Sequence, residues 1–206
     1  MSKFMKIFVF DTETTGFIDK KNTSLDAQPH IIQFAGIYGE IKSGEFKEIK
    51  RINQMIKPKI PIPFGASQIH HIYDIDLKDA PSIEEYIGDF LKIINESDVI
   101  IGHNIEYDEE MLKIELKRLN REFEYKPNQI ICTMKQTVDF CALPGNGNRF
   151  KYPKLGELYK KLFGEYFLGA HDAIVDVEAT LKAFMELYKN GIVKLDEKKH
   201  QVLSLF

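Results

Sequence analysis

The sequence predicts an α/β fold: a mixed sheet of three antiparallel strands followed by parallel ones, with helices packed on both faces. Three features lead there. The first part of the chain carries three strand-like apolar runs with short connections, which suits an antiparallel meander. The remainder alternates helix-period and strand-like segments, the pattern of strands separated by covering helices. Finally, 206 residues with 44% hydrophobic content suffice for one sizeable core. One domain is therefore expected over residues 1–191, followed by a polar tail over 192–206.

Taken in order, Lys6–Phe10 is an apolar strand and Ile31–Tyr38 a second, separated by a polar loop over Asp19–Pro29. A third strand runs from about Phe46 to Ile56 and stops at Lys57-Pro58, and Pro61–Gly65 reads as an extended turn. Ser82-Ile83-Glu84-Glu85 has capping-box spacing, and Ile83, Tyr86, Ile87, Phe90, Leu91 and Ile94 follow at helical period. Val99–Ile101 is a short buried strand, Met111, Leu112, Leu116 and Leu119 mark the next helix, and Ile130–Ile131 begins another strand. A last long helix spans about Ala173–Tyr188 and is ended by Asn190-Gly191. No internal repeat occurs.

Composition narrows the function classes. No apolar run approaches the roughly 20 residues needed to cross a bilayer, so no membrane association is expected. The N-terminal segment has no small-residue cleavage site, and no signal peptide is expected. Cys132 and Cys141 lack zinc-ligand spacing and read as small buried thiols in a reducing cytoplasm. A net charge of −3 is no footprint of a non-specific duplex binder, whereas a cleft rich in carboxylates would contribute to that sign.

Three segments carry chemistry. In Asp11-Thr-Glu-Thr-Thr-Gly16, Asp11 follows the first strand and Glu13 comes two residues later. Side chains two apart in a strand share a face, so both carboxylates can address one site. Adjacent anions repel unless a cation lies between them, and a hard divalent ion suits oxygen-only ligands. Taken alone, the pair is also what a solvated strand-end turn looks like. In His103-Asn-Ile-Glu-Tyr-Asp108, a carboxylate follows the carboxyl end of a strand, where open α/β sheets place ligands. If a helix begins near Asn104, then Asn104 and Asp108 share a face; equally, Asn104 is an N-cap and Asp108 a first-turn charge. In His171-Asp-Ala-Ile-Val-Asp176, Asp176 interrupts an apolar stretch, and His171 sits beside the Gly-containing loop Leu168–Ala170. A lone histidine there is structural or a partner for a bound water.

Together these residues resemble the DEDD exonucleases of the His-containing branch, the family that includes the proofreading epsilon subunit of bacterial DNA polymerase III. Asp-Thr-Glu-Thr-Thr-Gly matches the first motif in full, Asp108 the second, and His171-x4-Asp176 the third. The resemblance extends over about residues 5–190. Ile69-His70, Asp74 and Ala80-Pro81-Ser82 resemble its substrate-side segment, with His71 where the family usually has Gly; Leu155, Leu158 and Phe163–Ala170 resemble the stretch before its last motif. The resemblance implies a ribonuclease H-like sheet and removal of nucleotides from a free 3′ end by a two-metal mechanism. Asp11, Glu13, Asp108 and Asp176 would hold two Mg²⁺ or Mn²⁺ ions, with Asp11 bridging, and His171 would be the general base. Glu13 and the Thr14–Thr15 backbone would hold the terminal 3′-hydroxyl, Ile69 and His70 would pack on the terminal sugar and base, and Asn104 joins the substrate-side set. DNA ends, single-stranded or frayed, are the expected substrate, with RNA or short oligonucleotides the nearest rival and a non-catalytic nucleic-acid scaffold a more distant one. A polymerase is a further expected partner.

Two segments stay open. Arg149, Phe150, Lys151, Tyr152 and Lys154 mix cations with rings, which suits either strand contacts or a solvated loop. The end, Gln201-Val-Leu-Ser-Leu-Phe206, resembles clamp-binding peptides of bacterial replication proteins, with Gln201, Leu203, Leu205 and Phe206 as anchors. The other reading is a tail folded back on its own domain.

Overall fold

A computed structural model describes residues 4–147 and 149–195. Five strands form one sheet: β1 (Phe4–Thr14), β2 (Ile31–Lys42), β3 (Glu45–Met55), β4 (Val99–Gly102) and β5 (Ile130–Cys132), in the order β3-β2-β1-β4-β5. The pairs β1/β2 and β2/β3 are antiparallel, while β1/β4 and β4/β5 are parallel. This is the expected mixed sheet. Among the described residues seven α-helices accompany it: α1 (Phe64–His70), α2 (Ile83–Glu96), α3 (Ile105–Arg118), α4 (Thr133–Gln136), α5 (Val138–Cys141), α6 (Leu155–Phe163) and α7 (Ala173–Lys189). None of the described helices is long and apolar enough to cross a membrane.

Alternation along β1 divides the core in two. Phe8 and Phe10 point to one face and pack with Phe34 of β2 against α2 and α3. There Phe34 and Phe90 stack with centroids 3.9 Å apart. Ile7 and Val9 point to the other face and join Ala35 and Ile37 beneath α7, with Leu158 of α6 and Cys141 of α5. Helices on both faces explain why β4 is apolar throughout: Val99, Ile100 and Ile101 are all buried. Packing continues past Gly191, since Val193 is buried and its amide, like that of Ile192, donates to the Leu187 carbonyl.

Of the elements that differ from expectation, two bear on the site. The segment expected to be an extended turn at Pro61–Gly65 passes into α1 at Phe64. Seven residues preceded by Pro63 and interrupted by Gly65, with Phe64 and Ile69 exposed, offer no apolar stripe from which to read a helix. The first strand also runs four residues beyond Phe10, so Asp11 and Glu13 lie within β1.

Candidate active site

The site forms where β1 outruns its parallel neighbour. β4 is paired only as far as Ile101 with Val9 and turns at Gly102 into α3, leaving Asp11–Thr14 with no strand on that side. The turn is tight: a Cβ on Gly102 would lie 2.8 Å from Ile105 Cβ. Asn104 takes a left-handed conformation (φ 71°) to enter the helix. On its other edge β1 still pairs with β2, Asp11 opposite Ala35 and Glu13 opposite Gln33, and a register shift follows Glu13. A bulge there re-aims the backbone at the end of the pairing.

Side chains from both layers converge on this gap. Asp11 and Glu13 continue the face of Ile7 and Val9, which is the α7 face, and α7 brings Asp176 in its first turn. Thr12 points to the opposite face, where its amide and hydroxyl both donate to Asp108 Oδ1 on α3, at 3.0 and 2.7 Å. Asp108 is thus drawn to the strand end from the other layer. Glu13, His171 and Asp176 each offer a ligand atom within 4.8 Å of the others. The His171 amide, at a left-handed φ of 70°, donates to Asp176 Oδ2 at 3.1 Å.

Electrostatics identify the cluster as one unit. Burial, then Asp108, Asp176 and Glu13, push the Asp11 carboxyl well above the usual range. Glu13 rises to about 8 from burial and the charges of Asp176, Asp108 and Asp172. Burial lifts Asp108 to about 7 despite the Thr12 hydrogen bonds, and Asp176 to about 6 despite the His171 amide. Asp176 Oδ1 is buried without a hydrogen-bond partner. Four crowded carboxyls, one with an orphaned oxygen, fit hard divalent cations: a charge placed among them relieves their repulsion and supplies the missing partner.

Beside the carboxylates lies an open cleft of about 610 Å³. Its floor is Thr12–Gly16, its far wall Pro63, Ala66, Ile69 and His70, and Tyr107 and His171 stand at its sides. His70 Nδ1 accepts from the Ile72 amide at 3.1 Å, which leaves the proton on a buried Nε2 facing the Thr14 backbone. Burial lowers its pKa and favours that neutral form. His71 is the left-handed C-cap of α1 (φ 59°), the conformation that favours glycine.

The structure therefore brings Asp11, Glu13, Asp108, Asp176 and His171 together and lines the cleft with Thr14, Thr15, Ile69 and His70. Asn104 is exposed, precedes α3 rather than sharing its face with Asp108, and is not among the cleft residues. Gln201, Leu203, Leu205 and Phe206 lie outside the described residues.

Three residues that the motifs do not single out hold the parts in place. Gln33, buried in β2, donates to Asn53 Oδ1 and Asp172 Oδ1, both at 2.9 Å, and accepts from the Ala173 amide at 3.2 Å. It ties the start of α7 to the strand opposite Glu13. Tyr107 donates to the Gly16 carbonyl at 2.7 Å and lies 2.9 Å from Thr14 Oγ1, fastening the cleft floor to α3. Thr12 fastens Asp108. The available signal was Gln33 itself, one amide inside the apolar run Ile31–Ile37.

Fold and site together fit an exonuclease domain of the DEDD type. The chain belongs to the RNase_T exonuclease family, whose model matches residues 8–184. It is 35% identical over 167 residues to the DNA polymerase III subunit epsilon of Rickettsia prowazekii, covering 78% of this chain and 64% of that protein. It is 30% identical over 191 residues to the PolC-type DNA polymerase III of Bacillus subtilis, covering 90% of this chain but only 12% of the relative. Among solved structures, Escherichia coli ExoI with single-stranded DNA shares the fold at a TM-score of 0.70 and 18% identity, over 90% of this chain and 41% of that one. Exonuclease X with a 5′-overhanging duplex does so at 0.58 and 23%, over 90% and 93%.

Proposed function

We propose that this chain removes nucleoside monophosphates one at a time from the free 3′ end of DNA, in proofreading, repair or end-trimming. The observation that carries this reading is the cluster of Asp11, Glu13, Asp108, Asp176 and His171 beside a cleft floored by Thr12–Gly16. Support for DNA comes from relatives named as DNA polymerase III subunits and from neighbours solved with DNA.

In this reading Asp11, Glu13, Asp108 and Asp176 would hold two Mg²⁺ or Mn²⁺ ions. When bound, the ions supply Lewis-acid stabilisation of the charge developing on the phosphate and the leaving 3′-oxygen. His171, exposed at the rim, takes the proton of the attacking water on its imidazole, a contribution of about 10²–10⁴-fold. Its backbone anchor to Asp176 keeps the ring near the carboxylates while leaving the side chain free to move. Glu13 and the Thr14–Thr15 backbone receive the terminal 3′-hydroxyl, which sets the polarity. Ile69 and His70 pack on the last nucleotide, with Phe17, 85% exposed at the mouth, available to close over it.

The exonuclease unit is assigned to residues 1–191, and the end of the chain, Gln201–Phe206, to a sliding clamp, tethering a weakly acidic enzyme to DNA. Clamp affinity unchanged by deletion of Gln201–Phe206 would dismiss that assignment. Digestion of 5′-labelled single-stranded DNA with Mg²⁺, beside the same sequence as RNA and a 3′-phosphorylated control, tests the main reading. The expected result is a ladder shortening from the 3′ end, faster on DNA and lost in His171→Ala. Faster digestion of RNA would overturn the DNA assignment, and no cleavage of either would overturn the activity.

A further inference from the structure

On the other flank of Asp108, the surface segment Arg149–Lys154 is not used by the cleft. It places Arg149, Lys151 and Lys154 within six residues, in a chain of net charge −3; Lys151 pairs with Glu157 of α6 at 2.6 Å, an exposed ion pair that a phosphate can compete for. Between the cations stand Phe150 and Tyr152, 50% and 57% exposed. A third ring, Tyr166, is 58% exposed and lies over the start of α6, where a Cβ on Gly156 would come within 3.3 Å of it. Lys160 sits 4.6 Å from that ring's centroid. Three large rings left in water beside cations are an arrangement that hydrophobic burial does not explain.

The segment is anchored. Phe150 bridges Pro144 in antiparallel fashion, the Lys151 amide donates to the Leu143 carbonyl at 3.0 Å, and the Gly145 amide donates to the Arg149 carbonyl at 3.1 Å. Gly145 is needed for that approach, because a Cβ there would lie 2.6 Å from the Arg149 oxygen. Further on, the Pro153 carbonyl accepts from His103 Nε2–H at 2.9 Å, and His103 Nδ1 lies 3.0 Å from Thr133 Oγ1. Burial holds the His103 imidazole neutral, at about 4. His103 follows β4 directly and stands two residues before α3, so the rings are fastened to the same strand end that delivers Asp108. Lys135, near Tyr152, is paired with Glu106 of α3.

A strand with its last nucleotide in the cleft and its last phosphate over the carboxylates must leave past some other flank. We infer that Arg149–Lys154, with Tyr166, is a stacking platform for single-stranded nucleic acid, taking nucleotides upstream of the scissile phosphate. Bases stack on Phe150 and Tyr152, and the cations meet the phosphates between them. Alternation of ring and cation along one segment follows the base–phosphate alternation of a strand. A protein interface instead gathers its rings in a desolvated centre with charges at the rim. The assignment rests on reading the carboxylate cluster as the place of cleavage.

The test is fluorescence anisotropy in EDTA with 5′-labelled oligothymidylates, one of about twelve nucleotides and one trinucleotide. Wild type, the Phe150→Ala/Tyr152→Ala double variant and a Phe150→Tyr/Tyr152→Phe control are compared. The platform predicts that wild type and control bind the longer strand more tightly, by on the order of ten-fold per ring. In the alanine variant that length preference collapses. A wild type without length preference, or an alanine variant that keeps it, overturns the platform. Digestion with Mg²⁺, run in parallel, separates the two ideas: no cleavage by wild type sinks the exonuclease reading, while the binding measurement still decides the platform.

Discussion

Replacing Gln33 with Leu isolates the link between the sheet and the helix that carries Asp176. The substitution roughly keeps the volume but removes the amide and its three hydrogen bonds. Their losses are unequal. Asn53 and Asp172 are exposed and rehydrate, so each costs about 0.5 kcal/mol. The Ala173 amide is different: it opens α7, has no partner within the helix, and belongs to a buried residue. Leaving that donor unmet costs about 1–3 kcal/mol, for a total of about 2–4 kcal/mol. For a domain of this size that is a fall in Tm of roughly 4–16 °C. Activity should suffer more than stability, since a displacement of about 1 Å at a catalytic group costs on the order of 100-fold. Urea unfolding with an unchanged m value, together with single-turnover cleavage on folded protein, reads both quantities. A variant within about 0.5 kcal/mol of wild type and fully active would refute the idea that Gln33 places the third motif.

Four further outcomes are expected. Without metal, the folded state keeps protons on Glu13, Asp108 and Asp176, at about 8, 7 and 6, and on Asp11, that the unfolded chain releases near pH 4. Their contribution is therefore complete below about pH 4 and is lost as pH rises through the folded values. Melting in EDTA should fall in temperature between about pH 5 and 8, and Mg²⁺ should stabilise most at the upper end; a Mg²⁺ effect independent of pH would count against metal binding by these carboxyls. Tyr107→Phe removes the hydroxyl that fastens Gly16 and Thr14, costing about 0.5–1.5 kcal/mol, and KM should rise more than kcat falls. Gly102→Ala forces a Cβ to within 2.8 Å of Ile105 and should destabilise by about 1–3 kcal/mol in denaturant melts. His71→Gly relieves the left-handed C-cap of α1 and should stabilise by about 0.5–1 kcal/mol, because the strain relieved exceeds the added unfolded-state entropy.

Much of the fold was legible because its signals are local. The capping box at Ser82 and the stripe from Ile83 to Ile94 declare α2 within one helix length, and the apolar run at Val99–Ile101 declares a strand covered on both sides. Asp11 and Glu13 could be placed on one face from the two-residue period alone. α1 escaped because a seven-residue helix with exposed Phe64 and Ile69 shows no periodic stripe.

By itself the sequence determined which carboxylates exist, which pair shares a face, and which helices and strands follow them. That Asp108 reaches the site from the layer opposite Asp176 was decided only in three dimensions, by β4 stopping at Gly102 while β1 runs on to Thr14. So were the roles of Gln33, whose partner Asp172, the N-cap of α7, lies 139 residues away, and of Thr12, 96 residues from Asp108. Periodicity reports the face on which a side chain lies, through bonds to its own neighbours. It carries no record of where a strand ends relative to its partner, and that offset opens the gap in which the charges meet.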